Sequence, residues 1–307
     1  MARSVILDTD IGTDIDDTWA LSMLLASPEL ELKLITSVSG DARYRAALCA
    51  RLLTVAGRAD VPIGIGIGGP LHLPAALAGT PQAAFVGAID AALAEHRDVR
   101  ADGVEAMITT IMSAPEPVTV IGIGPLTNVA EALRRCPQIV ERANFVGMHG
   151  SLRVGYRGAA APAAEYNVVA DVASARAVLS AAWDITITPL DSCGSVVLKA
   201  GAYRQFHDYA HAHPGSMAAA VLANYRIWLD AVGAPAERLA SRSTTLFDTV
   251  AVYLAYADSA LTMETVSVSV DDAGFTRETP AGRSMRIATG WQDAAAFEAL
   301  LLERLCW

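Results

Sequence analysis

The stretch VILDTDIGTDIDDTWAL, residues 5–21, decides how the rest of the chain is read. It opens inside SVILD (4–8), an apolar run of strand length, the kind found in a strand buried on both faces of a parallel sheet. From Asp16 the pattern turns helical and runs to Ser27, where Pro28 closes it. Between strand and helix stand Asp8, Asp10, Asp14, Asp16 and Asp17, five carboxylates within ten residues. Carboxylates so close repel one another and raise each other's pKa. Open water or a hard cation relieves that repulsion. Gly12 permits a turn tight enough for the groups on either side to converge. Calcium takes about six to eight oxygen ligands, and magnesium about six with retained waters. The reading without a ligand is a solvated acidic turn with Asp16 as helix N-cap.

The rhythm set here continues outward. Strand-like runs at 31–38, 61–67, 118–124, 144–148 and 184–190 alternate with helical segments, one from about residue 43 to 57 and one opening at Pro125. This is the pattern of βαβ units, with helices on both faces of a mostly parallel, Rossmann-like sheet. Residues 265–272 and 283–289 predict a small C-terminal β-hairpin before a last helix. No repeat or long linker interrupts the chain, so residues 1–307 are expected to form one α/β domain. In such sheets ligands bind beyond the carboxyl ends of the strands. Function is therefore expected at Asp8–Asp17 and at two loops, 149–166 and 233–247.

Composition narrows the partners. Hydrophobic residues make up 53% of the chain, but much of this is alanine, and no spanning helix is predicted. The first residues lack the features of a signal peptide, so a cytoplasmic protein is expected. Cys49, Cys136, Cys193 and Cys306 are scattered without a CxxC pair, which speaks against a zinc ribbon or disulfide framework. The net charge of −10 and the lack of a basic cluster exclude a nucleic acid polymer as partner. A small neutral or cationic substrate fits better. HDYAHAH (207–213) reads as exposed helix rather than metal site, and His72 is a loose candidate for the border of a pocket.

The opening motif resembles the N-terminal signature of inosine–uridine-type nucleoside hydrolases, roughly D-x-D-x-G-x-D-D-A, with two residues added before Asp16–Asp17. LITSVSGD (34–41), IGIGPLTNVAEAL (121–133), AAEYNVVADVASA (163–175) and LFDTVAVYLA (246–255) continue the likeness in order. The resemblance implies calcium-dependent hydrolysis of the N-glycosidic bond of ribonucleosides to ribose and free base, and a homodimer or homotetramer. It implies Asp10, Asp17, Asp248 and the carbonyl of Thr127 as Ca2+ ligands, with Asp10 also the base for a calcium-bound water. Asp16 would take the ribose 2′-hydroxyl, and Glu165 and Asn167 hydroxyls at the 3′ and 5′ side. Met148, Asp41 and Phe247 join the substrate pocket, and Asp8 and Asp14 stand behind it.

The chain departs from the family pattern at three places. Phe247 stands where a histidine often helps protonate the leaving base; an aromatic ring there suits stacking on a purine. Ala159 replaces an asparagine expected ahead of Glu165, so a 5′-hydroxyl contact is absent or falls to Tyr156, Arg157 or His149. Asp41 replaces an asparagine after Gly40. Hydrolysis is expected to persist with altered substrate choice, toward purine or modified nucleosides. The alternatives are a non-catalytic nucleoside- or pentose-binding member of the same fold, which the lost histidine favours, and a haloacid-dehalogenase-like phosphatase.

Overall fold

A computed structural model describes residues 2–69 and 79–307; His72 lies outside the described residues. One ten-stranded sheet organises them, in the order β4-β3-β2-β1-β5-β6-β7-β10-β8-β9. The strands are β1 (Arg3–Thr9), β2 (Leu30–Ser37), β3 (Ile63–Ile65), β4 (Val99–Arg100), β5 (Val118–Gly122), β6 (Ala143–Met148), β7 (Ile185–Thr188), β8 (Leu261–Val270), β9 (Thr276–Glu278) and β10 (Arg283–Trp291). Strands β1 to β7 pair in parallel.

Burial of β1 on both faces follows from its unbroken apolar run. Val5 and Leu7 point into one core, with Trp19, Leu48 and Tyr225, while Ile6 points into the other, with Val120, Phe145 and Ile187. Helix Asp16–Leu25 is buried along nearly its whole length, so it has no polar stripe to show in its sequence. Trp19, fully buried, lies 4.6 Å from the Phe206 ring and 5.9 Å from Tyr225, centroid to centroid. Among the described residues no helix is long and apolar enough to cross a membrane.

Two expectations are refined. The C-terminal hairpin does not stand apart: β10 pairs in parallel with β7 (Ile187 with Ile287), and β8 pairs antiparallel with both β10 and β9. Its strands therefore extend the main sheet. The strand expected at 61–67 forms over Ile63–Ile65, and the two-residue β4 carried too little apolar sequence to be noticed.

Strand order places the site. The chain runs from β1 outward through β2, β3 and β4, then returns to lay β5 on the other side of β1. The crevice at the carboxyl ends of β1 and β5 is thus the topological switch point where ligands of open α/β sheets bind. Residues just past β3 lock this edge. Gly66 passes so close to β2 and to helix Thr127–Arg135 that a Cβ there would sit 2.2 Å from the Ser37 carbonyl oxygen and 2.3 Å from Asn128 Nδ2. Asn128 is fully buried; its Nδ2 donates to Asp8 Oδ1 (2.7 Å) and the Ser37 carbonyl (3.0 Å), and its Oδ1 accepts from Ile67 N (2.8 Å). Gly66→Ala should therefore cost about 1–3 kcal/mol of stability by overpacking. Thermal denaturation measures it; an unchanged melting temperature would show that this junction yields freely.

Candidate active site

A cavity of about 210 Å³ opens at the switch point, lined by Asp10, Thr13, Asp14, Asp16, Asp17, Ile123, Met148, Tyr156, Glu165, Tyr166, Asn167, Phe247 and Asp248. Its walls come from the turn after β1, the end of β5, the end of β6, the loop after β6 and the start of helix Phe247–Leu254. Residues from four distant parts of the sequence meet there.

The aspartate turn is shaped by a residue that the sequence reading passed over. Arg45, 1% exposed, reaches in from helix Ala42–Val55. Its guanidinium donates to the backbone carbonyls of Asp10, Ile11 (2.9 Å) and Ser39 (2.8 Å) and to Thr13 Oγ1 (2.7 Å). Gly12 sits at φ +103°, in the left-handed region, and a Cβ there would meet the Tyr44 ring at 2.7 Å. The Tyr44 hydroxyl donates to the Gly12 carbonyl (3.2 Å), and Trp228 Nε1 to that of Thr13 (2.9 Å). Arginine thus fixes the loop through its carbonyls and leaves the carboxylates free to face the cavity. The available signal was a lone arginine on the apolar face of its helix, in register with Cys49 and Leu52.

Asp16, Asp17 and Asp248 each present a carboxylate oxygen within 4.8 Å of the others, all three buried. Asp17 Oδ1 also accepts from Thr9 Oγ1. Burial, and then the charges of their acidic neighbours, hold the carboxyls of all three well above the usual carboxylate range. Burial also pushes Asp10 up to about 6, although Arg45 opposes the shift. Six carboxylates line this cavity, against the guanidinium of Arg45 and, acting on Asp14, that of Arg238. A hard divalent cation fits such a site: every side-chain donor in the trio is a carboxylate oxygen, the ligand type of calcium and magnesium.

Glu165 caps helix Tyr166–Ala170; its Oε1 accepts from Asn167 N (2.8 Å), its Oε2 from Gly150 N (3.0 Å) and Val168 N (3.3 Å). Burial outweighs these bonds and raises it to about 7. The Asn167 amide donates to the carbonyls of Met148 (3.1 Å) and Ile123 (3.3 Å), which directs its oxygen away from them. Phe247 meets Tyr156 edge-on, with ring centroids 6.2 Å apart, so loops 149–166 and 233–247 touch through aromatic rings at the mouth of the cavity.

Other candidates lie elsewhere. Thr127 is not in the lining: its hydroxyl donates to Asp171 Oδ2 (2.7 Å), and as first residue of helix Thr127–Arg135 its carbonyl faces along that helix. Ile123, at the end of β5, occupies the wall instead. Asp41 caps its helix by accepting from Tyr44 N (3.0 Å) and is exposed. Asp8 is fully buried behind the cavity, bonded to Asn128 and Thr36 (2.5 Å), with its carboxyl raised by burial to about 7. Asp14, expected behind the pocket, is the exception: it lines the cavity, and its Oδ1 accepts from its neighbour Ile15 N (2.7 Å). His149 Nε2 is 3.1 Å from the Gly124 carbonyl, and Arg157 and Ala159 are exposed. Of the histidines at 207–213, His211 and His213 are exposed and none lines the cavity. Thr13, Ile123 and Tyr166 were not anticipated as lining residues.

The sequence matches the family described as inosine-uridine preferring nucleoside hydrolase over residues 5–298. The chain belongs to that family. It is 33% identical over 213 residues to the pyrimidine-specific ribonucleoside hydrolase RihA of Salmonella typhi, covering 68% of this chain and 67% of that one. It is 35% identical over 202 residues to the inosine-uridine preferring nucleoside hydrolase of Leishmania major, covering 62% of this chain and 61% of the relative. These alignments thus span about two thirds or less of the relatives' own length. In fold it resembles a plant nucleoside hydrolase (TM-score 0.79, 21% identity, 100% of this chain and 99% of that one). It also resembles a purine-preferring ribonucleoside hydrolase from Gardnerella vaginalis (TM-score 0.76, 23% identity, 99% and 98% covered). The phosphatase alternative is thereby set aside.

The raised carboxyls have a consequence for stability. A carboxyl whose folded pKa exceeds its unfolded value of about 4 holds its proton more tightly when folded. Its stabilising contribution is complete below the unfolded value and is lost as pH rises through the folded one. Asp10 at about 6, with Asp8 and Glu165 at about 7, place that loss between pH 4 and 7. His149, lowered by burial to about 4, acts in the opposite sense as one group against these three. In EDTA the protein should therefore melt at a lower temperature at pH 7.5 than at pH 5.5. A higher melting temperature at pH 7.5 would mean that these carboxylates ionise in the free protein without penalty.

Proposed function

We propose that the protein hydrolyses the N-glycosidic bond of ribonucleosides, with calcium as its cofactor. Family membership supports the reaction. The observation that carries the site is the meeting of Asp16, Asp17 and Asp248 from opposite ends of the sequence in one buried group, with Asp10 in the same cavity. In this reading Asp17, Asp248 and Asp10 hold the cation, and the carbonyl of Ile123 replaces that of Thr127 as the backbone oxygen. A cation held there would supply a positive charge for the sugar's hydroxyls to bind and would make a neighbouring water easier to deprotonate. A donor set of several carboxylates and a carbonyl favours calcium, which accepts more ligands than magnesium.

Asp10 takes the proton from the attacking water, as the carboxylate in the cavity that also stands beside the cation. Asp16 accepts a hydrogen bond from the 2′-hydroxyl, while Glu165 and Asn167 hold hydroxyls at the other side of the ring. The bond breaks through an oxocarbenium-like state, as in O-glycoside cleavage, and the surrounding carboxylates stabilise its positive charge. Attack on the face opposite the departing base inverts the anomeric carbon. Phe247 and Tyr156 form the aromatic wall for the base, which supports a purine preference. A homodimer or homotetramer, by analogy with the family, completes the proposal.

Purified protein with calcium should release ribose from a panel of nucleosides, and EDTA should abolish that release. Asp10→Ala should lower kcat by about 10²–10⁴-fold, while retained turnover would reject the assignment of the base. Nucleoside binding by calorimetry without turnover over the whole panel would favour the non-catalytic alternative. Phe247→Ala should lower kcat/KM for purine nucleosides by about two- to tenfold and leave calcium affinity unchanged. Equal losses on purines and pyrimidines would remove Phe247 from base selection.

A further inference from the structure

Little in the cavity can hand a proton to a departing base. Among the described residues no histidine, lysine or arginine lines it, and Phe247 stands where an imidazole would. His149, just past β6, is fully buried with Nε2 turned to the Gly124 carbonyl (3.1 Å). Burial raises the phenols of Tyr156 and Tyr166 above their ordinary range, which makes them poorer acids still. Of the six carboxyl groups, the ribonucleoside reading gives Asp10, Asp17 and Asp248 to the cation and Asp16 and Glu165 to the sugar.

Charge decides what can leave such a pocket. When the glycosidic bond breaks, its electron pair goes to the ring nitrogen. A neutral base then departs as an anion unless it is protonated, and general acid catalysis of that step is worth about 10²–10⁴-fold. An anion formed beside ionised carboxylates is further disfavoured by like charge. A base that already carries a positive charge behaves in the opposite way: the same electron pair cancels the charge, and the base leaves neutral without a proton. Before cleavage the wall attracts that charge. Asp14, to which the reading gives no role, lines the cavity and is half-buried, and among the described residues its only hydrogen bond is from Ile15 N to Oδ1. Phe247, half-buried, and Tyr156, exposed, meet at 83° in the same lining, and aromatic rings attract a flat cation.

We infer that the preferred substrates are N-ribosides whose base is a cationic aromatic heterocycle, such as a pyridinium or a 7-alkylated purine, with Phe247, Tyr156 and Asp14 as the residues that select for its charge. The inference rests on the ribonucleoside reading and deepens it. Water supplies the new hydroxyl at C1′, its other proton passes to Asp10, and the base departs as a neutral molecule, so atoms and charge balance with no acid.

With calcium present, kcat/KM on nicotinamide riboside, a pyridinium, should exceed that on inosine by about 10²-fold or more. A pyridinium is also intrinsically the better leaving group, so two variants separate recognition from leaving ability. Asp14→Asn and Phe247→Leu should each lower kcat/KM on nicotinamide riboside about two- to tenfold more than on inosine. Equal kcat/KM of the unmodified protein on the two substrates, or equal proportional losses in both variants, would overturn the inference. So would a loss in Asp14→Asn confined to inosine, which would make Asp14 the proton donor instead. Calorimetric titration with the 1-methylnicotinamide cation and with neutral nicotinamide reads the preference without turnover. The cation should bind about threefold tighter or more, and equal binding would again overturn the inference. If the unmodified protein cleaves no riboside at all, the hydrolase reading fails, while tighter binding of the cation that Phe247→Leu weakens still upholds the selection for charge.

Discussion

Arg45 holds the main chain of the aspartate turn and leaves the side chains of that turn to one another. Its bonds to the carbonyls of Asp10, Ile11 and Ser39 fix where Asp10, Asp16 and Asp17 can point. Had the guanidinium paired with one of the carboxylates instead, it would have taken that group out of the cavity and still left the other five there. As built, several buried carboxylates share one small volume, with Arg45 behind them and Arg238 acting on Asp14, and such an excess of negative charge fits a compact cation. In the proposed reading the same surplus would suit a reaction whose transition state is positively charged, so one constraint would serve both cofactor and chemistry.

The sheet supplies the address. Because the chain reverses direction of growth between β4 and β5, the ends of β1 and β5 part and leave a crevice, and the first aspartates and Ile123 stand on its two sides. Asp248 joins them from helix Phe247–Leu254, which packs against β6 and β7. Tyr156 and Phe247 then tie the two long loops together over the mouth.

Much of this was legible in the sequence wherever local pattern is strong. The apolar run before Asp8 and the Asp16 helix start announced a strand, a turn and a helix, and the alternation that followed announced a parallel sheet. The ordered motifs around Asp10, Asn128, Glu165 and Asp248 pointed to one pocket, and the lining contains Asp10, Glu165 and Asp248. Other features depend on three-dimensional register, which no local pattern encodes. Whether Thr127 or Ile123 faces the cavity depends on where β5 stops and the helix begins, a shift of four residues. Arg45 looked like one more charge on a helix because its partners are backbone atoms, which have no sequence signature. Tyr166 stands within its motif, but only the fold shows that its hydroxyl has no hydrogen-bond partner among the described residues. The C-terminal strands looked like an appendage because their partner β7 is far away in sequence.

That distance bears on how the molecule is made. β10 is slotted between β7 and β8 rather than added at an edge, and its pairing joins Ile187 to Ile287. Contacts of such long range must overcome a large loop-closure entropy before they return any stabilisation, and topologies rich in them fold slowly. A chain in which that seam had not yet formed would leave one edge of β7 unpaired, and an unpaired strand edge is open to strand addition by another chain.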